Sequence, residues 1–116
     1  MLKTSKTKQV IKPIAFNNGI CSIWTLEKNH LKDKLGEFDF HEDTLGIKTF
    51  HELGLLGKQV DRVISIPYQK LIDQSFAVVI ENKAYYMITI QKKDTFPMSL
   101  KLTLEKTPIK VGDTND

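Results

Sequence analysis

Apolar and polar residues alternate with a period of two over much of the chain, the spacing of a strand with one buried face. The cleanest run sets Leu100, Leu102 and Leu104 on one side and Ser99, Lys101, Thr103 and Glu105 on the other. Tyr86, Ile88 and Ile90 alternate in the same way with Met87, Thr89 and Gln91, which predicts a half-buried strand. Ser75–Ile80 (SFAVVI) is a continuous apolar run. Only Glu81-Asn82-Lys83, a short polar link with a turn-tolerant asparagine, separates it from the Tyr85 strand, so the pair predicts an antiparallel hairpin. Val60–Pro67 (VDRVISIP) is another β-rich run, closed by a proline that cannot donate to a ladder. Gly19–Glu27 (GICSIWTLE) follows the turn signal Asn17-Asn18-Gly19. Five such runs with little helical periodicity predict an all-β fold, a small β-barrel or sandwich of about five to seven antiparallel strands with long loops and room for one short helix.

Two segments break the pattern. Lys28–Glu37 is charged and contains a glycine, which reads as a loop. Thr44–Gln59 begins strand-like and then places Phe50, Leu53 and Leu56 at helical spacing, interrupted by Gly54 and Gly57. Each interior glycine weakens a helix by about 1 kcal/mol. The expectation is a strand leading into one or two helical turns or a mobile loop. The ends are polar, so residues 1–12 are expected to be a flexible basic arm, 13–110 a single β domain and 111–116 a flexible tail.

Length and composition agree with one ordinary globular domain: 116 residues, 41% apolar and 27% charged. No apolar run reaches the ~18 residues of a spanning helix, and the lysine-bearing N-terminus has no apolar stretch behind it, so no membrane contact is expected. The single cysteine, Cys21, leaves no internal disulfide and fits a reducing compartment. The net charge of +3 is concentrated in Lys3, Lys6, Lys8 and Lys12. Without those four the remaining 13 basic and 14 acidic side chains balance to −1, so the basicity belongs to an arm able to touch phosphate.

The tripeptide Phe-His-Glu occurs twice, at Phe40-His41-Glu42 and Phe50-His51-Glu52. The histidines are ten apart, not the four that set two ligands on one helical face, and the remaining histidine, His30, lies in the charged segment. The repeat therefore reads as surface histidines beside core phenylalanines, with no metal or other cofactor. Cys21 between Ile20 and Ser22 reads as a small buried hydrophobe and not as a nucleophile. There is neither a Gly-x-x-x-x-Gly-Lys-Ser/Thr loop nor a Gly-x-Gly-x-x-Gly, and no catalytic set, so a non-enzymatic protein is expected. The alternative class is an oligonucleotide-binding β-barrel that stacks bases on Tyr85, Tyr86 or Phe96. A single arginine, Arg62, and a slightly acidic body weigh against it.

Taken in order, GICSIWTLE, TLGIKTFHE, VDRVISIP, ENKAYYMITIQKKD and LKLTLEK resemble the head–tail joining proteins of long-tailed bacteriophages, also called head–tail adaptors, head-closure proteins or stoppers. The points of likeness are Gly19 with its strand, Thr44-x-Gly46-x-x-x-Phe50, Val60-Asp61-Arg62-Val63-Ile64 with Ile66-Pro67, Tyr86 and Gln91, and Leu102 to Glu105; they span residues 19–106. The lysine arm and Tyr68–Asp73 are additions, and Thr49 stands where the family often has an arginine. The resemblance implies a virion protein that docks as a ring under the portal or adaptor ring of the head and closes the DNA exit channel. It implies a tail-side connector as second partner, transient contact with packaged DNA through Lys3, Lys6, Lys8 and Lys12, and a monomer or loose oligomer in isolation. Within that frame Gly46–Gln59 is the expected oligomerisation or channel loop, with Gly46, Gly54 and Gly57 giving backbone freedom and Phe50, Leu53, Leu55 and Leu56 giving apolar contact surface.

Overall fold

The computed structural model describes residues 13–44 and 46–111. Six antiparallel strands and one helix follow in the order β1 (Gly19–Glu27), β2 (His30–Glu42), α1 (Ile47–Leu55), β3 (Arg62–Pro67), β4 (Ala77–Ile80), β5 (Lys83–Lys93) and β6 (Ser99–Lys110). The strands close into a barrel in the spatial order β1-β2-β3-β6-β5-β4. The expected all-β class with one short helix is the observed one, and among the two architectures considered it is the barrel.

The interior is built by alternation. Cys21 and Ile23 from β1, Phe40 from β2, Ile64 and Ile66 from β3, Val78 and Ile80 from β4, and Leu100, Leu102 and Leu104 from β6 form one buried cluster with Tyr85 and Met87 of β5. A bulge sets the phase of β5. Met87 pairs with Leu104 but Thr89 with Thr103, so Ile88 is the extra residue. Before the bulge odd-numbered residues point inward; after it Ile90, paired with Leu102, packs on the core. The grouping of Tyr86, Ile88 and Ile90 on one face is therefore corrected to Tyr85, Met87 and Ile90. A strand read at strict period two cannot register an inserted residue.

Two-residue turns join β4 to β5 and β1 to β2. Glu81 and Asn82 have φ of 49° and 64°, and Lys28 and Asn29 have 53° and 65°, the paired positive φ values that match the twist of a hairpin. The second turn overturns the expected Lys28–Glu37 loop: those residues turn and run into β2. The strand buries Leu31 and Phe40 with Phe38 packed on the core, while Lys32, Asp33, Lys34, Leu35 and Glu37 are exposed. Two register shifts against β1 break its alternation. Beyond Trp24 no strand other than β2 pairs with β1, so this end is a charged two-stranded ribbon.

The closing seam is narrow. Strands β2 and β3 are in register only at His41–Ser65 and Glu42–Ile64, with the Asp43 N–H donating to the Val63 carbonyl at 2.8 Å. Residues 13–18 cross the outside of this region: the Ile14 N–H donates to the Phe96 carbonyl (3.1 Å) and the Asn18 N–H to that of Phe40 (2.9 Å). Ile14 lines an outer cleft with Asp43, Ser65, Ser99 and Lys101. Ser99 and Thr103 lie on the outward face of β6 as expected, yet both are buried; Thr103 is flanked by Val63 on one side and Thr89 on the other.

Truncating Leu102, fully buried between Ile64 and Ile90, to alanine should cost about 2–5 kcal/mol in urea unfolding. Truncating exposed Gln91 on the next strand should change it by less than about 0.5 kcal/mol.

Candidate assembly surface

The most unusual surface is the segment between β2 and β3. The first Phe-His-Glu is the end of β2, and the second lies within α1; the strand-like start expected at Thr44 is not found, since β2 stops at Glu42. Helix α1 is poorly equipped to stand alone. Its N-cap, Gly46, offers no side-chain hydrogen bond, and there is no acidic residue in the first turn or basic residue in the last. Its C-terminus is well closed. The Gly57 N–H donates to the Gly54 carbonyl (3.0 Å) and the Lys58 N–H to the Leu53 carbonyl (2.9 Å), with Gly57 at φ 79°. This pair of bonds requires a left-handed residue at the first position past the cap, where only glycine avoids strain.

Leu53 is the buried residue of α1, and no strand packs extensively on the helix. Leu53 is therefore corrected from partner surface to buried residue. Leu55 and Leu56 are exposed as expected; Phe50 is exposed as a contact residue would be, which corrects its reading as a core phenylalanine of the repeat and leaves that role to Phe40 alone; and Ile47, which the sequence reading passed over, is 77% exposed. An amphipathic helix buries its apolar side; here most of that side faces solvent. The ring of Phe50 stands tilted beside that of His51, centroids 6.3 Å apart.

The base of the excursion is clamped. Glu42, the last residue of β2, accepts two hydrogen bonds from Arg62, the first of β3: Nε to Oε2 at 3.2 Å and Nη2 to Oε1 at 2.8 Å. The guanidinium also lies 5.4 Å from the centre of the Phe40 ring. The hydrogen bond to Glu42 raises the Arg62 pKa further, against the opposing effect of burial. Beside it Ser65 Oγ donates to Asp43 Oδ2 (2.8 Å) and the Thr44 N–H to Asp43 Oδ1 (2.8 Å). Burial pushes the Asp43 carboxyl up, but the Ser65 hydroxyl, the Thr44 N–H and the charges of Lys101 and His41 outweigh it and hold the group below its ordinary 3.8.

The other expected residues are distributed as follows. Lys3, Lys6, Lys8 and Lys12 lie outside the described residues. Tyr85 is a core residue, so it is corrected from the base-stacking set; Tyr86 is half-buried and Phe96 is 71% exposed. Tyr68, Leu71 and Met98 are further exposed apolar residues that the sequence reading did not single out. The Tyr68 N–H donates to the Met98 carbonyl (3.0 Å), and Lys92 Nζ lies 5.4 Å from the Tyr68 ring centre. Cys21 is buried, and desolvation pushes its thiol up to about 12. Among the described residues no group of three or more His, Cys, Asp or Glu is placed to hold a metal, and no helix is long and apolar enough to cross a membrane. No protein-family model matches the chain, and no curated protein matches it.

Replacing Arg62 by alanine should leave Glu42 without its partner and lower stability by about 1–2 kcal/mol, after discounting for partial exposure. The Asp43 group has a depressed folded pKa, so its contribution is complete above the unfolded pKa and disappears as pH falls through the lower folded one. Asp43→Asn should therefore be about 0.5–1 kcal/mol less stable than the parent at pH 7, with the gap closing in denaturant titrations as pH falls through the lowered folded pKa.

Proposed function

We propose that this protein is a head–tail connector of a long-tailed bacteriophage, a structural and non-enzymatic virion component that docks as a ring under the portal, closes the DNA exit channel and presents a surface to the tail. The observation that carries this reading is α1, which lies in the connection between the two strands of the barrel's narrow seam and buries Leu53 alone while Ile47, Phe50, Leu55 and Leu56 face solvent. Apolar surface of this extent on a small domain marks a place of contact. The ordered likeness of five sequence segments to the head–tail joining proteins supplies the kind of contact. A barrel alone would not, since one fold serves many functions.

In this mechanism the barrel is the rigid body and α1 with its flanking glycines the part that adapts. Ring formation multiplies a contact too weak to persist alone, because the portal holds each copy at high effective concentration beside the next. The contacts between neighbours in such a ring are heterologous and close by rotation. The N-terminal lysines would meet acidic groups of the portal or the packaged DNA.

The test is electron microscopy of particles captured through a tagged copy expressed during phage induction in its host. DNA-filled heads with ring density under the portal are the expected outcome. Free protein with bound nucleic acid and no heads would replace the connector reading with the DNA-binding barrel.

A further inference from the structure

At 3.6 residues per turn, Phe50, Gly54, Ile47, His51 and Leu55 follow one another around one side of α1, next to the buried Leu53. Gly54 sits within this stripe, and nothing in the isolated fold requires it. Its backbone is ordinary helix, and a Cβ there would stand in open space with no atom within 4 Å. A glycine inside a nine-residue helix weakens it, and a second helix approaching closely would make use of the missing side chain.

The stripe is complementary to itself when reversed. If two helices run antiparallel about a two-fold axis near Phe50, Ile47 of each copy falls opposite Gly54 of the other, a branched side chain over a missing one. Phe50 meets Phe50. Lys48 and Glu52, both exposed and on the same flank of the stripe, then lie opposite Glu52 and Lys48 of the second copy.

We propose that the free protein forms a two-fold dimer through antiparallel pairing of α1 with α1 of a second copy, Ile47 seating over Gly54. Ile47, Phe50 and Leu55 offer on the order of 400 Å² of apolar surface, about half of what one partner contributes to a standard stable interface. The dimer is accordingly weak, with a dissociation constant on the order of 100 μM. Under the connector reading this pairing covers the assembly stripe before docking and yields it to the ring. The pairing itself depends only on α1, and it can fail or hold whatever the particle captured from the host.

Sedimentation equilibrium of the full chain from about 10 μM to 1 mM, on the scale of that constant, is the experiment. The expected result is a monomer–dimer equilibrium weakened at least tenfold by Phe50→Glu. Gly54→Ala should weaken the dimer at least fivefold while raising the melting temperature of the monomer, a combination that a merely structural glycine would not give. Lys48→Glu and Glu52→Lys should each weaken self-association, and mixing the two variants should restore a heterodimer, because only contacts between copies become favourable in the mixture. A monomer throughout the range, an oligomer other than a dimer, a dimer indifferent to Gly54→Ala, or a mixture no stronger than its components would each overturn the proposal.

Discussion

Closure at the β2–β3 seam is the constraint on which the rest depends. The barrel closes here through two registered residue pairs, fewer than at any other seam; the β1–β4 seam has three and the remaining ladders are longer or closed by a turn. The bidentate Arg62–Glu42 pair stands at the end of that seam, where the chain leaves for α1 and returns. Its Coulomb energy is modest because water reaches it. Its geometric effect is larger: two donors on two acceptors fix the separation of β2 and β3 in a way a single contact would not. The Asp43–Ser65 bond and the Asn18 N–H to the Phe40 carbonyl reinforce the same place from outside.

That closure lets the barrel carry an element it does not need for its own stability. The buried cluster is made of side chains of the six strands, with Ile72 and Phe76 of the β3–β4 connection packed on it, and includes nothing from α1. The helix therefore costs the core little if it shifts. A rigid barrel with one loosely held apolar arm separates two requirements that conflict in a small domain, a packed core and a surface ready to be covered by another molecule.

Much of the barrel was legible because its strands obey a simple period. Leu100, Leu102 and Leu104 needed nothing but alternation, and Pro67 ended its strand as proline chemistry requires. The failures have physical causes. Strand β2 is a ribbon over part of its length, so it buries few side chains and looks like a charged loop; two bulges then remove what alternation was left. Its turn, Lys28-Asn29, uses the same asparagine signal as Glu81-Asn82, but without an apolar run on both sides the signal carries little weight. At α1, helical spacing was visible in Phe50, Leu53 and Leu56, yet which of these faces inward depends on how the helix lies against the barrel. Spacing along a chain does not contain that information, so Leu53 exchanged roles with Ile47.

The buried thiol in β1 has a practical side. Cys21 is 1% exposed and its ionisation is displaced to about 12, so at neutral pH it presents neither access nor thiolate to an alkylating reagent. The natural chain is thus already a blank background for site-specific chemistry. One cysteine introduced on the outer surface would accept a spin label or fluorophore alone, leaving distances and motions to be read without first removing a native residue.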